Sequence, residues 1–324
     1  MLSEIKIEGF RCFKDFSAKP LKNVNLIIGA NNSGKTCFLE AAQLLSVGVS
    51  PFPMLTQMER RKEFSDSYYG NREGFPFEYS NLFWGRVSQA GSSFTLRDNN
   101  RKYACSISLI QDMEKFRSLV PDEYIGDEQF LSEPVPFMLN IKGDDDEIGF
   151  ALNRRFKSFV FNDYVDNASV FIGTDRFSTM QLSLIWDKIV LKEEEKLVYR
   201  YLKLIEPDIE RIAFINSKNP TPKVKLENRE DRIPLGSMGE GIHRLLELAL
   251  GAATTPKGGV LLIDEIDTGL HYSVIKSVWK FLFELSQQYG FQIFTTTHSL
   301  DCLMSLSSLI KENESYANSI AIHR

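Results

Sequence analysis

The chain has 324 residues, 43% of them hydrophobic and 25% charged, with a formal net charge of −5 and a pI near 5.6. That length and apolar content suit one large domain or two modest ones with a buried core, and the acidic balance gives no global attraction to phosphate backbones, so nucleic-acid binding would need a local basic surface. Cys12, Cys37, Cys105 and Cys302 are scattered without a CxxC pair, and no apolar run reaches the roughly 18–20 residues that span a bilayer; a disulfide framework, a thiolate zinc site and a membrane protein are excluded, and a cytoplasmic setting is expected.

The opening LSEIKIEGFRCF alternates apolar and polar residues through Ile5, Ile7 and Phe10, which predicts a half-buried strand. A second strand, NVNLIIGA, is followed by TCFLEAAQLLSV, where Phe38, Leu39, Ala42 and Leu45 give a helix one buried face. From about Val49 to Gly85, Pro, Gly, Tyr and charged residues lack periodicity and predict irregular chain; SSFTLRD and KYACSISLI then read as paired strands. Residues near 111 to 165, with prolines at 121, 134 and 136, again read as irregular, and Asp144, Asp145, Asp146 and Glu147 as a solvated loop. A helical stretch from Met180 to Leu204 leads to strand-like IERIAFI and PKVKLEN, and regular α/β signals return near Leu235.

Gly29-Ala30-Asn31-Asn32-Ser33-Gly34-Lys35-Thr36 matches the GxxxxGK[ST] phosphate loop in full, between a predicted strand and a predicted helix. Such a loop aims backbone N–H groups at phosphates. Lys35 neutralises the β and γ oxygens, and the Thr36 hydroxyl ligates Mg²⁺, so ATP and Mg²⁺ are the expected ligands, with Cys37 counted among the nucleotide-binding residues. Far downstream, GGVLLIDEID is an apolar strand that delivers two carboxylates to its C-terminal edge: Asp264 for the Mg²⁺ shell, Glu265 to orient or deprotonate an attacking water. FQIFTTT ends in His298 and Ser299 at the same kind of edge; His298 either senses the γ-phosphate or has a structural role.

LGSMGEGIHRLLELALGA at 235–252 resembles the signature segment of ABC-type ATPases, with Ser237, Gly239 and Gly241 leading into an apolar helix. With FRCF at 10–13, GANNSGKT, LLIDEIDTGLH and TTTHS in this order, the chain resembles the ATPase heads of SMC, RecF and especially OLD-type proteins. The resemblance implies an α/β P-loop NTPase, an ABC-ATPase head with a mostly parallel core sheet, an antiparallel β lobe and a variable central insertion. The whole of 1–324 is then one head: 1–48 the N-terminal core with the phosphate loop, 49–230 the lobe and insertion, 231–324 the C-terminal core. It also implies a homodimer or higher homo-oligomer in which two heads sandwich two ATPs. Ser237 and Gly239 then act on the partner's ATP, Glu265 is the catalytic base and His298 the switch histidine. The signature reads SMGEG where the better known pattern is SGGQ, and Tyr272 stands where OLD-type heads usually have proline.

By the same resemblance Arg11 lies where such heads place a basic residue near the nucleotide, a surface arginine being the alternative. Gln89 is the candidate for the glutamine that links the metal to the lobe, an exposed strand-end glutamine being the other reading. No nuclease domain fits after His298 and no long heptad pattern is present, so a bare head is expected, switching a separate protein effector (a nuclease or toxin) in bacterial defence or DNA repair. An ATP-locked scaffold or DNA-binding module is the alternative. Arg60, Arg61 and Lys62, Arg154, Arg155 and Lys157, and Lys218, Lys223, Lys225, Arg229 and Arg232 form either a nucleic-acid surface or solvated faces.

Overall fold

The computed structural model describes residues 1–64, 77–109, 137–151, 168–215 and 220–324. In chain order its elements begin with β1 (Ile5–Phe10), β2 (Phe13–Ala18), β3 (Val24–Ile28), α1 (Lys35–Val47) and α2 (Phe52–Arg60). Strands β4 (Ser93–Arg97), β5 (Lys102–Leu109), β6 (Phe137–Lys142), β7 (Glu147–Ala151) and β8 (Ser169–Ile172) follow. Then come α3 (Thr179–Asp187), α4 (Glu193–Leu202), β9 (Ile209–Ile215), β10 (Thr221–Leu226), β11 (Ile233–Pro234) and α5 (Glu240–Thr254). The chain closes with β12 (Val260–Ile263), α6 (Tyr272–Tyr289), β13 (Gln292–Thr297), α7 (Leu300–Glu312) and β14 (Ile320–His323). The chain divides into two compact units, one of Met1, 22–35 and 167–324, the other of 2–21 and 36–166.

The first unit is built on a sheet ordered β14-β3-β13-β12-β8, every neighbouring pair parallel. Every residue of β12 and of β13 is buried, as expected for central strands of a parallel sheet covered on both faces. The apolar faces of α5 and α6 supply Leu245, Leu248, Trp279 and Phe283 to its core. Gly290 stops α6 in the left-handed conformation that glycine adopts without a Cβ clash. A smaller antiparallel sheet, β11-β10-β9, belongs to the same unit.

The second unit carries an antiparallel sheet ordered β2-β1-β4-β5-β6-β7. Ile5, Ile7 and Phe10 are fully buried, as the alternation predicts, and the Phe10 ring meets Phe94 at 4.8 Å. Gly9 has φ +75°, and a Cβ there would stand 2.8 Å from the Ser93 carbonyl oxygen, so only glycine fits. Lys35, the first residue of α1, is counted in the first unit, and the helix runs on into the second.

Several expectations need correction. The stretch after Val49 contains α2, whose Pro51 and Pro53 sit at its start, where proline is tolerated. The stretch near 111 to 165 contains the β6–β7 hairpin, whose exposed turn is the acidic run, solvated as expected, with Asp144 accepting a hydrogen bond from the Lys102 N–H at 3.3 Å. The helix expected from Met180 to Leu204 is two helices, α3 and α4. Leu191 between them has φ 63°, and Glu193, Glu194 and Glu195 favour a new helix start through the dipole. β8, from the supposed insertion, pairs with β12 in the core sheet. The division at 48/49 is not where compactness divides the chain: 2–21 and the helix from Thr36 go with the antiparallel unit, and 167–230 go with the parallel one. The prolines at 121, 134 and 136, and Arg154, Arg155, Lys157 and Lys218, lie outside the described residues. Among the described residues no helix is long and apolar enough to cross a membrane.

Candidate nucleotide site

Parallel strands present their C-terminal ends along one sheet edge, where ligands of α/β folds collect. In the first unit β3, β13 and β12 are consecutive neighbours, and Gly29, His298 and Asp264 are each the residue that follows its strand. Segments that begin at residues 29, 264 and 298 thus converge on one edge because β13 is inserted between the two motif strands.

After β3 the chain turns tightly: the Ser33 N–H donates to the Ala30 carbonyl at 3.3 Å, and Asn32 (φ 60°) and Gly34 (φ 93°) are left-handed. A Cβ on Gly29 would stand 2.7 Å from Ser33 Oγ, so a larger residue there would turn the serine hydroxyl out of its place in the loop. Lys35 is buried, and its ammonium folds back to donate to the carbonyls of Gly29 (3.0 Å) and Ala30 (2.9 Å). Successive residues of alternating handedness turn backbone N–H groups into a concavity that suits anions. With an ammonium over that concavity, the loop fits a polyphosphate. Thr36 is the second residue of α1 and Cys37 the third. In the first unit the Asp264 carboxylate is a hard oxygen donor of the type Mg²⁺ prefers, since that ion completes its shell with water and phosphate.

Asp264 is 7% exposed, and its Oδ1 accepts a 2.6 Å hydrogen bond from the Thr296 hydroxyl on β13. The same hydroxyl oxygen accepts the Glu265 N–H at 2.8 Å, so one side chain registers both acids of the motif. Glu265 has φ 48°, a left-handed backbone that costs a non-glycine residue about 1–3 kcal/mol and persists only where surroundings enforce it. The enforcement is visible in its neighbours: the Thr268 N–H donates to the Glu265 carbonyl at 3.0 Å, and the Ile266 N–H to the Thr296 carbonyl at 3.1 Å. The Glu265 carboxylate accepts from the Thr268 hydroxyl at 3.3 Å and lies 3.4 Å from His298 Nδ1, with both side chains reachable from solvent.

Arg244 on α5, which the sequence reading missed, completes this frame. Its NH2 donates to the carbonyls of Asp264 (2.7 Å) and Glu265 (2.9 Å), and its NH1 donates to that of Gly173 (2.7 Å). The buried Glu247, one helical turn on, lies 3.5 Å from Arg244 and accepts the Phe177 N–H at 2.9 Å. Burial pulls the Arg244 guanidinium down from its ordinary pKa and pushes the Glu247 carboxyl up, while the attraction of the pair opposes both. An arginine and a glutamate at i, i+3 within the otherwise apolar RLLELALGA were the available signal.

Arg244→Ala strands a buried carboxylate and leaves three carbonyls without their donor, and is expected to destabilise the chain by about 3–5 kcal/mol. Arg244→Lys keeps the charge but not the planar fork; it is expected to retain most of the stability while ATP turnover falls roughly tenfold or more through displacement of Glu265. Denaturant unfolding beside steady-state turnover separates the two effects. A lysine variant with full turnover would show that the frame does not position the acid.

Ser237 ends a short 3-10 turn (Leu235–Ser237) and Gly239, at φ 88°, precedes the first turn of α5; both are exposed. Gly241 has a packing reason to be small, since a Cβ there would stand 3.0 Å from Ile205 Cδ1. Tyr272 is exposed at the start of α6.

Arg11 is not the surface arginine of the alternative reading. Its side chain is 4% exposed, with Nε 2.8 Å from Glu40 and NH1 2.7 Å from Glu63. Its charge is thus paired with two carboxylates of the same unit. Gln89 lies in an exposed turn four residues before β4, its N–H donating to Ser92 Oγ at 3.2 Å. Of the basic clusters, Arg61 is held by Glu40 at 2.7 Å and Lys225 by Glu210 at 2.7 Å.

A sequence model for the family described as "AAA domain, putative AbiEii toxin, Type IV TA system" matches residues 24–305. The chain is similar to an ATP/GTP phosphatase of Helicobacter pylori, 24% identical over 348 aligned positions that cover 97% of this chain and 90% of that protein. A shorter match, 47% identical over 49 residues, joins 15% of this chain to 14% of the DNA replication and repair protein RecF of Nitrosococcus oceani. Among solved structures, an SMC head bound to the C-winged helix domain of ScpA aligns over 94% of this chain and 92% of that one, with 16% identity and a TM-score of 0.48. Since the matched residues take in the phosphate loop, the signature turn, the acidic strand end and His298, the chain belongs to this AAA-domain family.

Proposed function

We propose that the chain binds ATP with Mg²⁺, hydrolyses it in a dimer of two heads, and uses the closing and opening of that dimer to switch a separate protein effector. The observation that carries this reading is the Glu265 carboxylate, fixed beside His298 on a left-handed backbone. A scaffold that merely held nucleotide would have no use for a strained, positioned base, because phosphoryl transfer asks a protein for positioning and charge neutralisation.

In this reading the loop N–H groups of Gly29 to Gly34 and the Lys35 ammonium bind the β- and γ-phosphates. Mg²⁺, held by the Thr36 hydroxyl and Asp264, supplies neutralisation of charge on the phosphate oxygens. Glu265 orients the attacking water and takes its proton, and His298 contacts the γ-phosphate from the neighbouring strand end. Ser237 and Gly239 sit exposed at the N-terminus of α5, a place suited to an anion, and serve the ATP of a second copy. The name of the Helicobacter pylori relative supports hydrolysis, and the toxin–antitoxin wording of the family description supports a defence-related effector, a nuclease or toxin. The net charge of −5 favours a protein over bulk nucleic acid as that partner, and the scattered cysteines favour the cytoplasm.

The test is turnover per subunit as protein concentration rises, for wild type and for Ser237→Arg, an exposed substitution that leaves the fold intact. Wild-type activity is expected to rise with concentration, and the variant to bind ATP normally yet lose turnover about a hundredfold. Concentration-independent turnover that survives Ser237→Arg would remove the two-headed mechanism.

A further inference from the structure

We propose that Cys12 and Cys37 form an oxidisable dithiol, a modification site at which a peroxide joins the β1–β2 hairpin to the first turn of α1 by a disulfide. Phe10 and Phe13 pair across the hairpin, so Arg11 and Cys12 form its two-residue tip, with Arg11 left-handed at φ 51°. Cys12 is exposed there, and Cys37, in the first turn of α1, is partly so. Arg11, beside Cys12, and Arg61, whose NH2 stands 3.5 Å from Cys37 Sγ, both reach Glu40, which brings the hairpin tip and the first turn of α1 together around the two thiols.

Their meeting is held by contacts on every side, all within the second unit. Arg11 Nε, next to Cys12, lies 2.8 Å from Glu40, one turn beyond Cys37, and the ring of Phe16 on β2 meets that of Phe38 at 5.9 Å. From the end of α2, Arg61 reaches Glu40 at 2.7 Å and places NH2 3.5 Å from Cys37 Sγ. The interaction between the two thiols holds that of Cys12 below its ordinary pKa and that of Cys37 above it, with burial opposing the first shift and adding to the second. An exposed, activated thiol beside a second thiol is the arrangement in which oxidation ends in a disulfide. Cys105 and Cys302 are buried, and burial pushes both thiols up, so they do not compete.

The Cys12 thiolate attacks one oxygen of hydrogen peroxide; the O–O bond breaks, and the departing hydroxide takes up a proton as water. The Cys37 sulfur then attacks the sulfur of the Cys12 sulfenic acid. Its S–O bond breaks, and the hydroxyl leaves as a second water with the Cys37 proton. Two thiols and one peroxide become one disulfide and two waters. A disulfide constrains its Cα atoms to roughly 4.4–6.8 Å, so the bond fixes the turn that also carries Lys35 and Thr36. On the nucleotide reading proposed above, this slows ATP turnover reversibly.

The experiment treats the reduced full chain with hydrogen peroxide, maps cysteine pairs by mass spectrometry without reduction, and measures turnover before oxidation, after it, and after dithiothreitol. Wild type is expected to yield a Cys12–Cys37 peptide and to lose turnover about ten- to a hundredfold, recovering on reduction. Cys12→Ser, an exposed change outside the nucleotide loop, is expected to keep its basal rate and to resist peroxide. Cys12 found as sulfinic acid with Cys37 free, or neither residue oxidised, overturns the site. A mapped disulfide with unchanged turnover overturns the link to the nucleotide turn. A reduced chain without turnover counts against the ATPase reading alone, since the mapping still decides the dithiol.

Discussion

Replacing Glu265 by Gln is expected to cut ATP turnover about 10²–10⁴-fold, the span that a positioned general base contributes, with little change in ATP affinity. Gln has the shape of Glu and keeps a carbonyl oxygen to accept the Thr268 hydroxyl bond that now measures 3.3 Å, while Arg244 and Thr296 hold Glu265 by its main-chain atoms only. The fold is therefore expected to lose no more than about 0.5 kcal/mol. What disappears is the acceptor for the proton of the attacking water. If closed dimers dissociate only after hydrolysis, the variant accumulates as an ATP-bound dimer, read as a doubled mass by light scattering with ATP and Mg²⁺ present. Wild-type turnover in the variant would reassign the base. Lost turnover without a dimer would keep Glu265 catalytic and place hydrolysis within one head.

Local chemistry was legible in the sequence, and convergence was not. Gly29 to Thr36 is contiguous, and its backbone demands are met by neighbours a few residues away, so a pattern of one-letter codes carries most of it. VLLI and QIFTTT announced themselves as buried strands because a parallel strand covered on both faces is apolar throughout. The four-residue SVFI of β8 is too short to show any period, and its place in the sheet follows from pairing with a strand some 90 residues away. The meeting of Arg244 with the main chain at Asp264 and Glu265 is of the same kind. The helix pattern gives Arg244 a buried face, but only the packed unit reveals which carbonyls need its donors. The burial of Arg11 depends on Glu40 and Glu63, contributed by two separate segments, which no local pattern shows. The pairing of Cys12 with Cys37 was likewise invisible in a spacing of 25 residues.

Lys35→Ala is expected to act on a different step, abolishing nucleotide binding where Glu265→Gln spares it. The ammonium is the one full positive charge that the loop folds over its own mouth, at 3.0 and 2.9 Å from the Gly29 and Ala30 carbonyls. Removing it withdraws charge-assisted hydrogen bonds worth roughly 1.5–3 kcal/mol each from the phosphates and leaves two loop carbonyls without that donor, so ATP affinity is expected to fall at least about a hundredfold. Lys35→Arg restores the charge but substitutes a planar fork for a compact point donor, and it is expected to rescue little. Calorimetric titration with ATP and Mg²⁺ measures the first effect directly. The dimer assay then orders the steps: a chain that cannot bind nucleotide stays monomeric, and combining Lys35→Ala with Glu265→Gln gives the phenotype of Lys35→Ala alone. Should the double variant still dimerise, association would not depend on ATP, and the switch would have to be sought in the protein's own surfaces.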